Sequence, residues 1–470
     1  MAFSSTLVFT VKRREPELVV PTKPTPHEIK KLSDIDDQEG FRFQIPLMFF
    51  YRDNPSMRGK DPVGAIREGL AKTLVYYYPF AGRIIEGDNR KLMVDCNGKG
   101  VLFVEADANI KIEQLGDNIL PPCPFMEEFV HDVPGSGGII GCPLLLIQVT
   151  RFICGGFALG IRLNHTMGDG YGAVQFLNAI TDFVKGASAP SIPPIWQREQ
   201  YLNARSPPRI TCTHNEFEQI TYNKQSSEDI MDSDKLIRMA IFFSPNDIQA
   251  LRNQVSSENF HRCPRFDLIT ACLWKCRTIA LNPADPDEMV RVSIIINARG
   301  KQGMPDIPTG YYGNAFTYPA AVSKAGILCT SPLSYAVNLV QNAKAQMSDE
   351  YIKSVADLMV IKKRPKYIAN WNFIVSDLTR IGFDKVDFGW DNPVYGGCTF
   401  APPVFILYNN FKNSSGEEGV VVPICLPPLA VEKFQYEVKK TILNLNAHDW
   451  RMKTRNFGQR RFGGSHLFQK

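Results

Sequence analysis

Histidine is scarce in this chain, with seven in 470 residues, and tryptophan scarcer, with five. No two cysteines stand as Cys-x-x-Cys, and the eleven present are odd in number and irregularly spaced, which removes the usual zinc and redox signatures. In a reducing compartment such cysteines are buried small hydrophobes. Cys272 and Cys276 share a helix face with His261 nearby in sequence, but they lack the further ligands a metal site needs. Long apolar runs are missing too. The longest nearly uncharged stretch, Gly137 to Val149, is shorter than the ~20 residues of a membrane helix and is interrupted by Pro143. No repeat recurs at the spacing of solenoids or propellers. The phosphate loop Gly-x-x-x-x-Gly-Lys-Ser/Thr, the Gly-x-Ser-x-Gly elbow and His-Glu-x-x-His are all absent. Gly135-Ser-Gly137 opens like a dinucleotide fingerprint, but its third glycine is displaced to Gly141 and a β-rich run follows where that motif needs a helix.

Excess charge of one sign is also lacking over most of the length. The net charge is +5, yet Arg451, Lys453, Arg455, Arg460, Arg461 and Lys470 fall in the last twenty residues without an acid among them. The rest is close to neutral, so neither nucleic acid nor a membrane is an expected partner. Near the start, the basic cluster Lys12, Arg13, Arg14 follows the apolar run instead of preceding it, the reverse of a secretory signal. An intracellular, cytoplasmic location is the expectation.

What is present is a mixture of two periods. Leu7, Phe9 and Val11 fall on one face of a strand over Ser5–Val11, and Ala65–Thr73 reads as helix. Cys142–Phe152 and Phe157–Leu163 are apolar runs around Cys154-Gly155-Gly156, a hairpin. Then Ala173, Phe176, Leu177, Ile180 and Val184 recur at helical spacing over Gly172–Lys185. Five prolines between Gly186 and Ile210 mark an extended connection. Beyond it come a strand at Ile237–Phe243, a helix opened by Ser244 and Pro245, and a strand at Val290–Ile296. A hairpin of Pro402–Tyr408 and Val420–Leu426 turns around Asn413, Ser414, Ser415 and Gly416, and a helix carries Val431, Phe434, Val438 and Ile442. An α/β protein of two similar-sized domains with mixed sheets is expected. The boundaries are 1–185, a crossover linker at 186–235, a second domain at 236–447, and a basic tail at 448–470.

With so few histidines, the search for a base narrows to His165. It follows the strand ending at Leu163 and precedes the helix, in His165-Thr-Met-Gly168-Asp169-Gly170. Loops at strand ends are where rigid scaffolds present reactive groups, and an imidazole there can accept a proton near neutral pH. The glycines argue for a turn, so the spacing to Asp169 does not place it beside His165. An Asp just before a helix is a good N-cap, and Asp169 is read as shaping the loop, pairing with a distant arginine.

A second element, Val386-Asp387-Phe388-Gly389-Trp390, supplies context. Together with His165-x-x-x-Asp169 it resembles the plant BAHD acyltransferases, which carry His-x-x-x-Asp mid-chain and Asp-Phe-Gly-Trp-Gly near the carboxyl end. The opening Leu-Val-Phe, Tyr78-Pro-Phe-Ala-Gly-Arg83, Leu163-Asn-His165, Asn297-Ala-Arg299 and Tyr311-Tyr-Gly-Asn314 extend the resemblance along nearly the whole chain. His131-Asp-Val-Pro-Gly135, Ser376-Asp-Leu-Thr379 and Tyr395-Gly-Gly397 resemble the alcohol acyltransferase clade, which includes benzoyl-CoA:benzyl alcohol benzoyltransferases and alkaloid tigloyltransferases.

The resemblance implies two chloramphenicol-acetyltransferase-like domains with a channel between them, His165 as general base, and Asp169 paired with Arg299, with Gly168 in the same loop. It implies that Asp387, Phe388, Gly389 and Trp390 are structural, that Arg265 and Lys301 meet the phosphates of CoA, and that a monomer acts without metal or bound cofactor. Acyl-CoA is the co-substrate. The implied reaction passes an acyl group, benzoyl or similar, from CoA to a small alcohol such as benzyl alcohol. Alternatives are an alkaloid or terpenoid hydroxyl or an amine as acceptor with tigloyl-, acetyl- or another acyl-CoA, and a relative that only binds a CoA ester. Two positions depart from the family. Asp391 stands where Gly is usual; if that Gly has positive φ, Asp is among the less costly replacements. Some relatives use a Thr-Ser-Trp stretch for the oxyanion, whereas this chain has Val375-Ser376-Asp377, so that donor does not carry over.

Overall fold

A computed structural model describes residues 7–217, 236–255, 263–300, 302–399, 403–412 and 416–444. Lys301, His261, the tail at 448–470 and the turn residues 413–415 lie outside the described residues, as does 218–235 of the expected linker.

Along the first half run β1 (Val11–Arg13), β2 (Glu17–Val19), β3 (Gln44–Tyr51), helix α1 (Pro62–Tyr76), β4 (Val101–Ala108), β5 (Leu145–Phe152), β6 (Phe157–Asn164) and α2 (Gly170–Val184). Asp61 caps α1 by accepting from the amides of Val63 and Gly64, with Pro62 at the first helical position. Val63, Ile66, Leu70 and Leu74 then fall on its buried face, and α1 packs on α2 and β5. The β5–β6 hairpin pairs Leu145 with Leu163 through Arg151 with Phe157. The apolar alternation expected over 5–11 is visible in the half-buried Leu7, Phe9 and Val11, but the ladder starts only at Val11, opposite Ala108. Its partner strand ends there, and Thr10 is tied instead to Asn109, whose amide donates to the Thr10 carbonyl at 3.2 Å and whose side-chain oxygen accepts from the Thr10 amide at 2.8 Å.

A short helix, α3 (Arg198–Leu202), sits in the crossover. The second half brings β7 (Ile237–Phe243), α4 (Pro245–Asn253), α5 (Arg265–Leu281), β8 (Met289–Ile294), β9 (Ala320–Lys324), α6 (Leu333–Ala345), α7 (Asp349–Ile361), β10 (Ile374–Asp377), β11 (Tyr395–Cys398), β12 (Phe405–Lys412), β13 (Glu418–Leu426) and α8 (Pro428–Leu443). Ser244 and Asp247 form a reciprocal capping box on α4. Helix α5 packs against α6 and α8 with Cys272, Trp274 and Cys276 buried in the core. The expected strand Val290–Ile296 is broken at Ile295, and Ile296–Asn297 pairs instead with Phe316–Thr317.

Two mixed sheets result, ordered β1-β4-β5-β6-β3-β11, with β2 also on β4, and β7-β13-β12-β10-β8-β9. Parallel pairs are β4/β5, β8/β10 and β10/β12. One strand is exchanged. After β10 the chain leaves the second sheet, and β11 becomes the edge of the first, with Tyr395 opposite Phe50 and Cys398 opposite Leu47. Asp387–Trp390, expected within a second domain of 236–447, therefore packs on the first sheet. The reason is physical: Val386, Phe388 and Trp390 are apolar and bury themselves in the first core, and Tyr51 donates to the Val386 carbonyl at 2.8 Å.

Candidate active site

His165 opens a single 3₁₀ turn, His165–Met167, at the end of β6. Asn164 caps it, its side-chain oxygen accepting from the amide and hydroxyl of Thr166 at 3.1 and 2.8 Å. The His165 amide donates to the Phe43 carbonyl at 2.9 Å, and the His165 carbonyl accepts from the Asn314 amide group at 2.8 Å. The imidazole stacks on Phe41 with centroids 4.8 Å apart and meets Phe43 edge-on at 5.1 Å. Aromatic rings thus pack against the imidazole face-on and edge-on. Its Nδ1 is buried and makes no well-formed hydrogen bond, so Nε2 is the nitrogen left to meet a ligand. Desolvation pushes its pKa below the ordinary histidine value, against the opposing pull of its own carbonyl, Asp169, Asn314 and Asp36. A histidine so shifted is neutral near pH 7 and able to accept a proton.

Asp169 makes no hydrogen bond to His165. It caps α2 by accepting from the Gly172 amide at 3.0 Å, accepts from the Ala315 amide at 3.0 Å, and pairs with Arg299 at 2.7 Å. Arg299 reaches across from the second half and also donates to the Gly313 carbonyl at 2.5 Å. The expected Asp169–Arg299 pair is present, and the cap with it. Gly168 and Gly172 are glycines for lack of room: a Cβ would lie 2.5 and 2.2 Å from the Tyr312 carbonyl oxygen. Tyr312 thereby brings the second half directly onto the loop.

His165 and Asp169 line a cavity that opens to solvent, with about 1080 Å³ of empty space when the solvent at its mouth is included. Both sheets wall it: Ile45 from β3 and Leu163 from β6 on one side, Ser376 and Asp377 from β10 and Phe405 from β12 on the other. Phe43, Phe316 and Phe383 add aromatic surface. Apolar walls with a few convergent polar groups are the usual make-up of a small-molecule site. The polar lining, apart from His165 and Asp169, is Tyr171, Asn297, Ser376 and Asp377. The side-chain oxygen of Asn297 already accepts from Arg299, so its NH₂ group is the part left to donate.

Arg265 starts α5 outside the cavity and donates to the Thr379 hydroxyl at 2.7 Å, which donates in turn to the Asp377 carboxylate at 2.6 Å. It stands one side chain behind the cavity wall. Asp387, Phe388, Gly389 and Trp390 do not line the cavity: Asp387 accepts from the Gly389 amide at 2.7 Å and pairs with Lys185 at 2.8 Å, and Trp390 meets Phe157 edge-on at 5.4 Å. Asp391 has φ of 66°, the left-handed region in which Asp is a tolerable substitute for Gly, and its carboxylate accepts from Asn54 at 3.1 Å. Sequence reasoning missed the aromatic pair Phe41 and Phe43 beside the imidazole, which lie in the 3₁₀ turn and bend just before β3, far from His165 in the chain.

Two mixed sheets with a histidine-bearing loop in the cavity between them define the two-domain acyltransferase fold of the chloramphenicol acetyltransferase type. Vinorine synthase has this fold, with a TM-score of 0.70 at 23% identity, over 90% of this chain and 96% of that one. The model described as "Transferase family" matches residues 9–441, and the chain belongs to this family, the BAHD acyl-CoA-dependent acyltransferases. The chain is 55% identical to alcohol acyltransferase 17 of Actinidia deliciosa, over 93% of this chain and 95% of that protein. It is 54% identical to benzyl alcohol O-benzoyltransferase of Petunia hybrida, over 93% and 94%.

Proposed function

We propose that the chain transfers the acyl group of an acyl-CoA, benzoyl-CoA or one of similar size, to the hydroxyl of a small alcohol such as benzyl alcohol. The observation that carries this reading is a buried His165, stacked on Phe41, on the wall of an apolar cavity built from both sheets. Relatives named for alcohol acylation and benzyl alcohol benzoylation support the substrate class.

In this reading Nε2 of His165 takes the hydroxyl proton as the alcohol oxygen attacks the thioester carbonyl carbon. The resulting tetrahedral oxyanion collapses, the carbon–sulfur bond breaks, and the proton on His165 passes to the CoA thiolate. Ser376 and the NH₂ group of Asn297 are the lining donors suited to the oxyanion. Substrates that fill the apolar cavity would displace water from it, which favours transfer to the alcohol over hydrolysis. Arg265 stands behind the wall at Asp377, with part of its guanidinium left for a CoA phosphate.

Asp377 favours a second reading. It is, with the Arg299-paired Asp169, one of two acids on the cavity wall, and a carboxylate there suits an acceptor bearing an ammonium group, as an alkaloid does. The test is CoA release from benzoyl-, tigloyl- and acetyl-CoA against a panel of simple alcohols, amino alcohols and amines, with products identified by mass. Release restricted to neutral alcohols supports the first reading, and a preference for cationic acceptors supports the second. Acyl-CoA that binds without acceptor-dependent release would overturn both. Arg265→Ala should raise KM for acyl-CoA severalfold and leave that for the alcohol unchanged.

A further inference from the structure

Behind the loop that carries His165 lies a second ion pair, wholly buried, that the chemistry above does not use. Arg198, on the crossover helix α3, faces Asp36 at 3.0 Å, and both side chains are fully excluded from solvent. The guanidinium donates to the Thr166 carbonyl at 3.3 Å and the Met167 carbonyl at 2.5 Å, and it lies 4.1 Å over the Trp196 ring. Asp36 accepts from the backbone and side-chain amides of Asn314 at 2.8 and 2.9 Å and from the Ser33 hydroxyl at 2.6 Å. Asn314 in turn donates to the His165 carbonyl.

The three consecutive carbonyls of the His165–Met167 turn are therefore each held by a side chain from elsewhere in the fold. Sealing two full charges in a protein interior is costly, and an apolar pair of similar volume would fill the space with less penalty. Such a pair could not satisfy buried carbonyls, which need donors. A guanidinium is the side chain that reaches two carbonyls at once with fixed geometry, and its charge explains the carboxylate opposite.

We propose that Asp36, Arg198 and Asn314 form a clamp that fixes the His165 turn in the orientation acyl transfer requires, making Arg198 and Asn314 positioning residues. Asp169 and Arg299 secure the far end of the same loop, and the clamp secures the near end. Because this rests on His165 acting as base, its test needs one reading that depends on activity and one that does not.

Arg198→Lys keeps the charge but cannot hold both carbonyls, and Asn314→Ala removes the bond to the His165 carbonyl while leaving the ion pair. With CoA release measured per folded molecule, each should lower kcat by about 10-fold to 10²-fold, the cost of a displacement near 1 Å at a reacting group. KM for acyl-CoA and alcohol should stay within about 3-fold, since neither residue lines the cavity. In parallel, ¹³Cε1-histidine NMR, with the His165 resonance assigned by its loss in His165→Gln, should show that resonance displaced or broadened in both variants while the other six stay in place. If Arg198→Lys fails to fold, Asn314→Ala carries both readings. An unmoved His165 resonance, or kcat within twofold of the unaltered protein in a folded variant, overturns the clamp. Absence of turnover by the unaltered protein would count against the base, and the resonance still decides the clamp.

Discussion

For the proposed reaction His165 has to be neutral enough to accept a proton and fixed enough to meet a hydroxyl, and its surroundings address each need separately. Burial against Phe41 and Phe43 lowers its pKa, so the protonated, inactive form should dominate only below the ordinary histidine range. The kcat/KM profile should accordingly hold level through mildly acidic pH and fall on the acid side of about 6.5, which a pH series with a saturable acyl-CoA checks. An acid limb lying above that value would contradict the burial argument. Asp169 acts at a distance from the proton. Asp169→Asn keeps a capping side chain but strands Arg299, whose partner it is at 2.7 Å. Breaking a largely buried pair costs about 3 kcal/mol, to be read from urea unfolding, and a loss under 1 kcal/mol would mean that the pair is not a fastening.

Elements differ in how much of them a sequence discloses. Helix α2, the β5–β6 hairpin and the capped start of α4 are legible because their signals are local: a 3.6-residue period, two apolar runs around glycines, and a serine before a proline. His165 and Asp169 were legible for the same reason, as a loop between a strand and a helix, whereas Arg299 depended on the family resemblance. Strand β11 was not legible. Which sheet edge accepts Tyr395–Cys398 is decided by the free edge at β3, and no local pattern carries that information. Arg198 was hidden likewise, because an arginine after a proline-rich run reads as a solvated cation until Asp36 is placed against it. The same nonlocality gives the Asp387–Trp390 segment its role. Trp390 is buried in the first core and does not line the cavity, so Trp390→Ala should cost about 3–5 kcal/mol of stability. Its kcat per folded molecule should be unchanged, and a selective loss of kcat without loss of stability would place the segment in the chemistry instead.

At the scale of the whole molecule, the loop that carries His165 is a junction. Its histidine comes from the first half, while Arg299, Asn314 and the Tyr312 carbonyl that abuts Gly168 and Gly172 come from the second. The cavity is likewise walled by both sheets, and β11 crosses back to bind one to the other. Neither half alone lines the whole cavity, so in the proposed reaction acyl donor and acceptor meet where the two are joined. The most direct measurement is alcohol-dependent release of CoA from benzoyl-CoA, comparing the unaltered protein with His165→Ala at matched folded fraction and identifying the ester by mass. A loss of about 10²- to 10⁴-fold in the alcohol-dependent rate is predicted for removal of the base. Equal turnover by both proteins would contradict it.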